Sequence, residues 1–236
     1  MPLSAHYLRN EGPFTLQHAP EVSCYQCEFD TSCYDDSLFV RHGIEADPLL
    51  EHAVVKRKSE FLAGRYAAQQ AIKRLGVEKT TVSIGKHRSP VWPNALIGSL
   101  THTATQAICA IAQSTDYQSI GIDLEDWMPL TTANHIKADV IQFSEERILS
   151  EIPLSFEQSL TLFFSAKESL FKALYPQVGS YFEFHAAKIV KIDMASHVFF
   201  IELNQSLNRY LVKGDVFKGR FMLRAHTVFT SIFLAA

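Results

Sequence analysis

The sequence predicts an α+β fold in two halves of similar size, meeting near Ser114–Ser119. Three observations lead there. Helical and strand-like periodicities come in blocks: helix then strands, then helices then strands. A chain of 236 residues that is 47% hydrophobic can bury one large core or two modest ones. No Pro/Gly linker, low-complexity tract or short repeat interrupts the blocks. The halves are expected at residues 1–114 and 115–236, each mixing helix and sheet.

The first clear helix is predicted from Val54 to Leu75, with Gly76 just past its end and Lys73 and Arg74 in its last turn. GKHRSPVWPNALIG follows, and its Pro and Gly punctuation reads as loop. Ile97–Thr103 and Gln106–Gln113 read as strands, STDYQS as a turn, and Ser119–Glu125 as another strand. The second half opens with a helix that Ser144 can cap, with Glu145 and Glu146 in its first turn. A stronger helix runs from Phe156 to Leu174 and is expected to stop before Pro176. HAAKIVKIDMASHVFFIEL and VFKGRFMLRAHTVFTSIFL read as β-hairpins.

Charge and targeting signals narrow the function classes. The formal net charge of −3 counts against a nucleic-acid binder. No apolar run is long enough to span a bilayer, and MPLSAHYLRNEGPF lacks the pattern of a signal peptide. A cytoplasmic location is therefore expected, with peripheral membrane association left open. Of the four cysteines, Cys24 and Cys27 form a lone CxxC with Cys33 close behind, and Cys109 stands apart. No second ligand pair completes a tetrahedral zinc site. Reduced thiols are expected, with a redox pair as the alternative.

In Gly121-Ile122-Asp123-Leu124-Glu125, strand alternation puts Asp123 and Glu125 on one face and Ile122 and Leu124 on the other. Two adjacent carboxylates repel unless a cation or solvent separates them. Hard oxygen ligands that share a site with phosphate suit Mg²⁺. A solvated acidic strand face is the alternative. On the Phe156 helix, Phe163, Leu170, Phe171 and Leu174 fall on one stripe, with Lys167 in its middle. A charge there either snorkels past the core or points into a cleft. Glu168 and Lys172 stand at the stripe's edge, spaced to form an ordinary surface ion pair.

The helix at Val54 is rich in cations: Lys56, Arg57, Lys58, Arg65, Lys73 and Arg74. Lys56, Lys73 and Arg74 read as a solvated face. Arg57 lies within the arc of Phe61, Ala68, Ile72 and Leu75, and Arg65 borders it, so their stems should pack and their heads point at something. Guanidinium suits bidentate phosphate contacts. Gly64, on the same side, permits close backbone approach. Gly98-Ser99-Leu100-Thr101-His102-Thr103 adds hydroxyls and an imidazole at a strand end.

Five segments in order resemble the Sfp/enterobactin-synthase type of 4'-phosphopantetheinyl transferase. They are Arg57-x-x-Glu60-Phe61-x-Ala63-Gly64-Arg65, Pro90-x-Trp92-Pro93, Gly98-Ser99-Leu100-Thr101-His102, Gly121-Ile122-Asp123-Leu124-Glu125 and Phe164-Ser165-Ala166-Lys167-Glu168-Ser169-Leu170-Phe171-Lys172. EFLAGR and FSAKESLFKA look most like the enterobactin-associated branch. The first fifty and last sixty residues carry little of the signature.

The resemblance implies a pseudo-dimeric α/β fold with coenzyme A, the substrate, in the cleft between two related halves. It implies transfer of the 4'-phosphopantetheine arm to a serine of an apo acyl, peptidyl or aryl carrier protein, releasing 3',5'-ADP. It implies Mg²⁺, or Mn²⁺ in its place, on Asp123, Glu125 and Glu168. Arg57, Arg65, Lys86 or Arg88, Thr101 and His102 fall where the family contacts coenzyme phosphates. Lys167 and Lys172 fall beside the pyrophosphate. Glu168, Lys172 and His102 are the catalytic candidates. Thr101 stands where many relatives have serine, and both supply a hydroxyl. A monomer is expected. A catalytically idle scaffold within a synthase assembly is the alternative, against which all three metal positions being filled counts.

Overall fold

The computed structural model describes residues 6–236. The chain divides into two compact units, Met1–Gln118 with Ala235–Ala236, and Ser119–Leu234.

In the first unit, strands β1 (Leu8–Phe14), β2 (Ser23–Phe29), β5 (Leu96–His102) and β6 (Gln106–Gln113) form an antiparallel sheet in the order β1-β2-β6-β5. Helix α1 (Ser37–Arg41) is short, and α2 (Val55–Lys73) packs on β6 and β2. The α2 face toward the sheet is built of small residues, with Ala63, Ala67, Ala68 and Ala71 all buried, so helix and strands can approach closely. Gly76 takes φ 73°, the left-handed conformation that ends a helix cheaply in glycine. The expected loop after it contains the two-residue strands β3 (Ser83–Ile84) and β4 (Pro90–Val91), joined across a 3-10 turn at Lys86–Arg88.

In the second unit, β7 (Tyr117–Asp126), β8 (Ala187–Asp193), β9 (Val198–Leu203), β10 (Val216–Leu223) and β11 (Thr227–Ala235) form a sheet in the order β7-β11-β10-β9-β8. Both expected hairpins are present as antiparallel pairs, β8 with β9 and β10 with β11. Helices α3 (Leu130–Val140), α4 (Glu146–Glu151) and α5 (Phe156–Val178) complete the unit. Phe163, Leu170 and Leu174 of α5 enter one core with Phe199, Ile201 and Phe221 of the sheet.

Three local expectations need correction. Helix α5 does not stop before Pro176 but runs through it to Val178. Proline this near the end removes only one i→i−4 bond, and Gly179, at φ 70°, closes the helix by donating its N–H to Tyr175 O. Ser144 is not a cap. It lies inside a 3-10 turn, Phe143–Glu145, whose cap is Gln142 in a reciprocal capping box with Glu145. Gly64 is not forced by packing, since the nearest atom to a Cβ placed there is Leu100 Cδ2 at 4.0 Å.

Candidate active site

Strand β7 and helix α5 of the second unit carry the carboxylates. Asp123 is buried at the middle of β7, and Glu125, two residues on, is half-buried on the same face. Helix α5 reaches them because small groups line its contact with the sheet. Ser119 donates to Ala173 O at 2.6 Å, and Thr230 of β11 donates to Ser165 O at 2.8 Å. Lys172 Nζ then donates to Asp123 Oδ1 at 2.6 Å. Lys172 therefore reaches across from helix to strand, rather than forming the surface pair with Glu168 that their spacing allows.

The electrostatics follow from this crowding. Burial, then the Asp123 charge, push the Glu125 carboxyl up to about 8, with Lys172 opposing and Glu168 adding to the rise. Glu168 is raised chiefly by burial, against the pull of Lys172. Burial works against the Lys172 ammonium, but Asp123 and Glu168 outweigh it and hold its pKa above the usual lysine value. Three acids share one ammonium, so the group is short of positive charge. Among the described residues, no three His, Cys, Asp or Glu side chains are gathered closely enough to hold a metal ion. Asp123, Glu125 and Glu168 are thus electrostatic neighbours without forming a ready cage. Magnesium tolerates such a site, because waters and substrate phosphates usually complete its octahedron.

A stability test follows. Glu125 keeps its proton to higher pH in the folded chain than at its ordinary value of 4.5. Between those two values the folded state binds more protons than the unfolded one, so this group's contribution falls as pH rises. In chelator, the Tm of Glu125→Gln should overtake that of the native chain progressively from about pH 5 to about pH 8. A Tm difference that is flat across that range would show that Glu125 is not crowded.

Glu168 also borders a recess walled by Phe171, Tyr181, Phe182 and Phe184. Phe171 packs against Tyr175, Tyr181 and Phe182 with ring centroids 5.0–5.5 Å apart.

Lys167 is buried, as its place on the apolar stripe suggests, and borders the same recess as Glu168 while its head turns into the protein. Its Nζ donates to Val140 O and to Glu145 Oε2, each at 2.7 Å. Burial lowers the Lys167 pKa and Glu145 partly restores it. Glu145 is the residue the sequence reading missed, taken there only as a first-turn acid. The signal was available: a lysine in the middle of an apolar stripe calls for a buried acid.

In the first unit, Arg57 and Arg65 lie on α2, two turns apart and near enough to repel. The Arg65 guanidinium stacks 4.5 Å over the Phe61 ring, and its Nε is buried without a hydrogen-bond partner. Burial, the largest cause, lowers its pKa to about 10. It lines a recess with Gln69, Thr80 and Thr81. Both Lys86 and Arg88 are exposed on the 3-10 turn, where His87 and Arg88 take positive φ, 53° and 65°. Thr101 is buried and His102 half-buried at the end of β5, paired with Ile108 and Ala107 of β6. The His102 Nδ1 lies 3.3 Å from Thr103 O. Cys24, Cys27 and Cys109 are free and buried, and burial raises all three thiols, the first two to about 12. Such thiols are poor nucleophiles and poor ligands. Cys33 is free and half-buried.

Residues 45–112 match the family model for the 4'-phosphopantetheinyl transferase N-terminal domain, and residues 119–214 match that for the 4'-phosphopantetheinyl transferase superfamily. The chain belongs to this family and is a 4'-phosphopantetheinyl transferase, acting on carrier proteins. It is 39% identical to enterobactin synthase component D of Salmonella typhimurium over 173 residues, 72% of this chain and 69% of the relative. It is 40% identical to the Escherichia coli protein of the same name over 148 residues, 62% of this chain and 68% of that one. Similarity extends to the 4'-phosphopantetheinyl transferase Svp of Streptomyces mobaraensis, 34% identical over 194 residues, 78% of this chain and 75% of Svp. No helix among the described residues is long and apolar enough to cross a membrane.

Proposed function

We propose that this enzyme takes the 4'-phosphopantetheine arm from coenzyme A in a Mg²⁺-dependent reaction and places it on a serine of an apo carrier protein of siderophore assembly. The observation that carries the reading is the group Asp123, Glu125, Glu168 and Lys172, in which Lys172 donates to Asp123 and burial and crowding hold Glu125 and Glu168 above their usual pKa. The carrier's serine oxygen bonds to the phosphorus next to pantetheine, the pyrophosphate P–O bond breaks, and 3',5'-ADP leaves with the bonding electrons. Phosphoryl transfer asks for positioning and charge neutralisation more than covalent help. Asp123, Glu125 and Glu168 would hold Mg²⁺, which supplies that neutralisation when bound. Lys172 stabilises charge on the transferring and leaving oxygens, and Glu168 accepts the serine proton directly or through a water. Glu168 would hold the metal as well, and a metal-bound carboxylate is a weaker base than a free one. His102, Thr101 and the Lys86–Arg88 turn serve the coenzyme's phosphates with Arg57 and Arg65. Lys167 is left out of this set in our reading, because its ammonium is turned to Val140 O and Glu145 Oε2. The siderophore assignment follows the names of the enterobactin relatives.

The test is direct. Incubation with coenzyme A, Mg²⁺ and an apo carrier should add the mass of one phosphopantetheine arm to the carrier. An unmodified carrier would leave the idle-scaffold alternative standing.

The buried, unsatisfied Arg65 Nε supports an anion at α2. Arg57→Ala and Arg65→Ala should each weaken coenzyme A binding by about 1–3 kcal/mol by calorimetry. Dephospho-coenzyme A should bind the native chain more weakly, and should be insensitive to loss of whichever arginine reads the 3'-phosphate. Native affinity in both variants would turn their heads away from the ligand.

A further inference from the structure

The pair Lys167 and Glu145 has no place in the chemistry above, yet it is the most completely buried ion pair among the described residues. The Lys167 side chain is 2% exposed and that of Glu145 is 0%. Both carboxylate oxygens of Glu145 are engaged: Oε1 accepts from Ile189 N at 2.7 Å, and Oε2 accepts from Lys167 Nζ at 2.7 Å and from Gln142 N at 3.0 Å. Lys167 Nζ also donates to Val140 O at 2.7 Å. Four segments meet here: the end of α3, the turn before α4, β8 and α5.

Taking two charges out of water costs several kcal/mol per ion, and such a pair often adds little over apolar residues of the same size. Its best-attested use is to fix register. Register matters at this position because Lys167 directly precedes Glu168. One residue turns an α-helix by about 100°, so where Lys167 is tied determines where Glu168 and Lys172 point. Hydrophobic contact is non-directional, and the bonds of Ser119 and Thr230 hold only the sheet-facing side of α5. Charged hydrogen bonds to two fixed partners are directional.

We infer that Glu145 and Lys167 are positioning residues, whose buried pair pins the roll of α5 and so aims Glu168 and Lys172 at Asp123 and Glu125. The inference rests on the metal-dependent reading of that site. In this reading both heads of the pair face each other rather than the substrate or metal. They act through the helix backbone, as outer partners orient metal ligands elsewhere.

The test compares the native chain with Lys167→Met and with Lys167→Met/Glu145→Gln. The double variant leaves no unpaired buried charge and should stay folded even where the single variant does not. Mn²⁺ binding in the presence of coenzyme A is read by electron paramagnetic resonance, without turnover. Coenzyme A binding in metal-free buffer is read by calorimetry, and Tm is recorded for each. In the double variant Mn²⁺ affinity should fall on the order of tenfold, and metal-free coenzyme A affinity should fall by less. Loss of coenzyme A affinity with native Mn²⁺ binding would overturn the inference and make Lys167 a phosphate contact. Native binding of both ligands with only a lower Tm would also overturn it, leaving the pair a stabilising one. A native chain that binds no Mn²⁺ with coenzyme A would overturn the metal-dependent reading itself, and the inference with it.

Discussion

Replacing Asp123 with asparagine should lower kcat/KM for carrier modification on the order of 10³-fold, about 4 kcal/mol of transition-state stabilisation. Asparagine keeps the shape of the side chain and removes its charge. Two losses then coincide. A hard anionic ligand disappears from the proposed Mg²⁺ site, and Lys172 loses the carboxylate to which it donates at 2.6 Å. Glu125→Gln should act through the metal alone and cost less at high Mg²⁺. Glu168→Gln should be slow at any Mg²⁺ concentration, since the proton acceptor is gone as well as a ligand. The measurement is carrier mass against time across a Mg²⁺ series, with Tm recorded to show that each variant is folded. Native rates for Asp123→Asn would remove β7 from the active site.

The second large effect is expected from a residue without a functional group. A Cβ placed on Gly121 would collide with Ser169 O and stand 2.6 Å from Ala173 N, both on α5. Neither neighbour is the flexible end of a side chain. Gly121→Ala must therefore push α5 away from β7, and overpacking of this kind costs about 1–3 kcal/mol. The rate should suffer more than the stability. A displacement near 1 Å at a site that depends on positioning can cost about 10²-fold, and Glu168 and Lys172 ride on the helix that moves. A lower Tm with a rate loss on that order is the expected outcome, read from differential scanning calorimetry and the carrier assay together. A variant that loses stability yet transfers at the native rate would show that α5 and β7 need not lie so close.

Much of this was legible in the sequence. Long apolar elements gave themselves away: α2, β6, β7 and α5 stand within a few residues of their expected bounds, because each is rich in apolar and small residues and bounded by turn signals. Strands β1 and β2 had no such signal. β1, LRNEGPF, is largely exposed and so carries no apolar alternation, and the β2 pattern is broken by polar residues. The end of α5 was misplaced because the rule for proline weighs the lost hydrogen bond and not the glycine cap three residues on.

The site divides along the same line. The sequence by itself determined which residues are candidates, since spacing on a strand or helix sets who shares a face: Asp123 with Glu125, and Lys167 within an apolar stripe. Only the tertiary structure decided what each head meets. It gave Lys172 to Asp123 rather than to Glu168, and it gave Lys167 to Glu145, twenty-two residues away. The reason is physical. Facing direction is a local property of φ and ψ, whereas the partner of a buried charge depends on which distant segment packs against it.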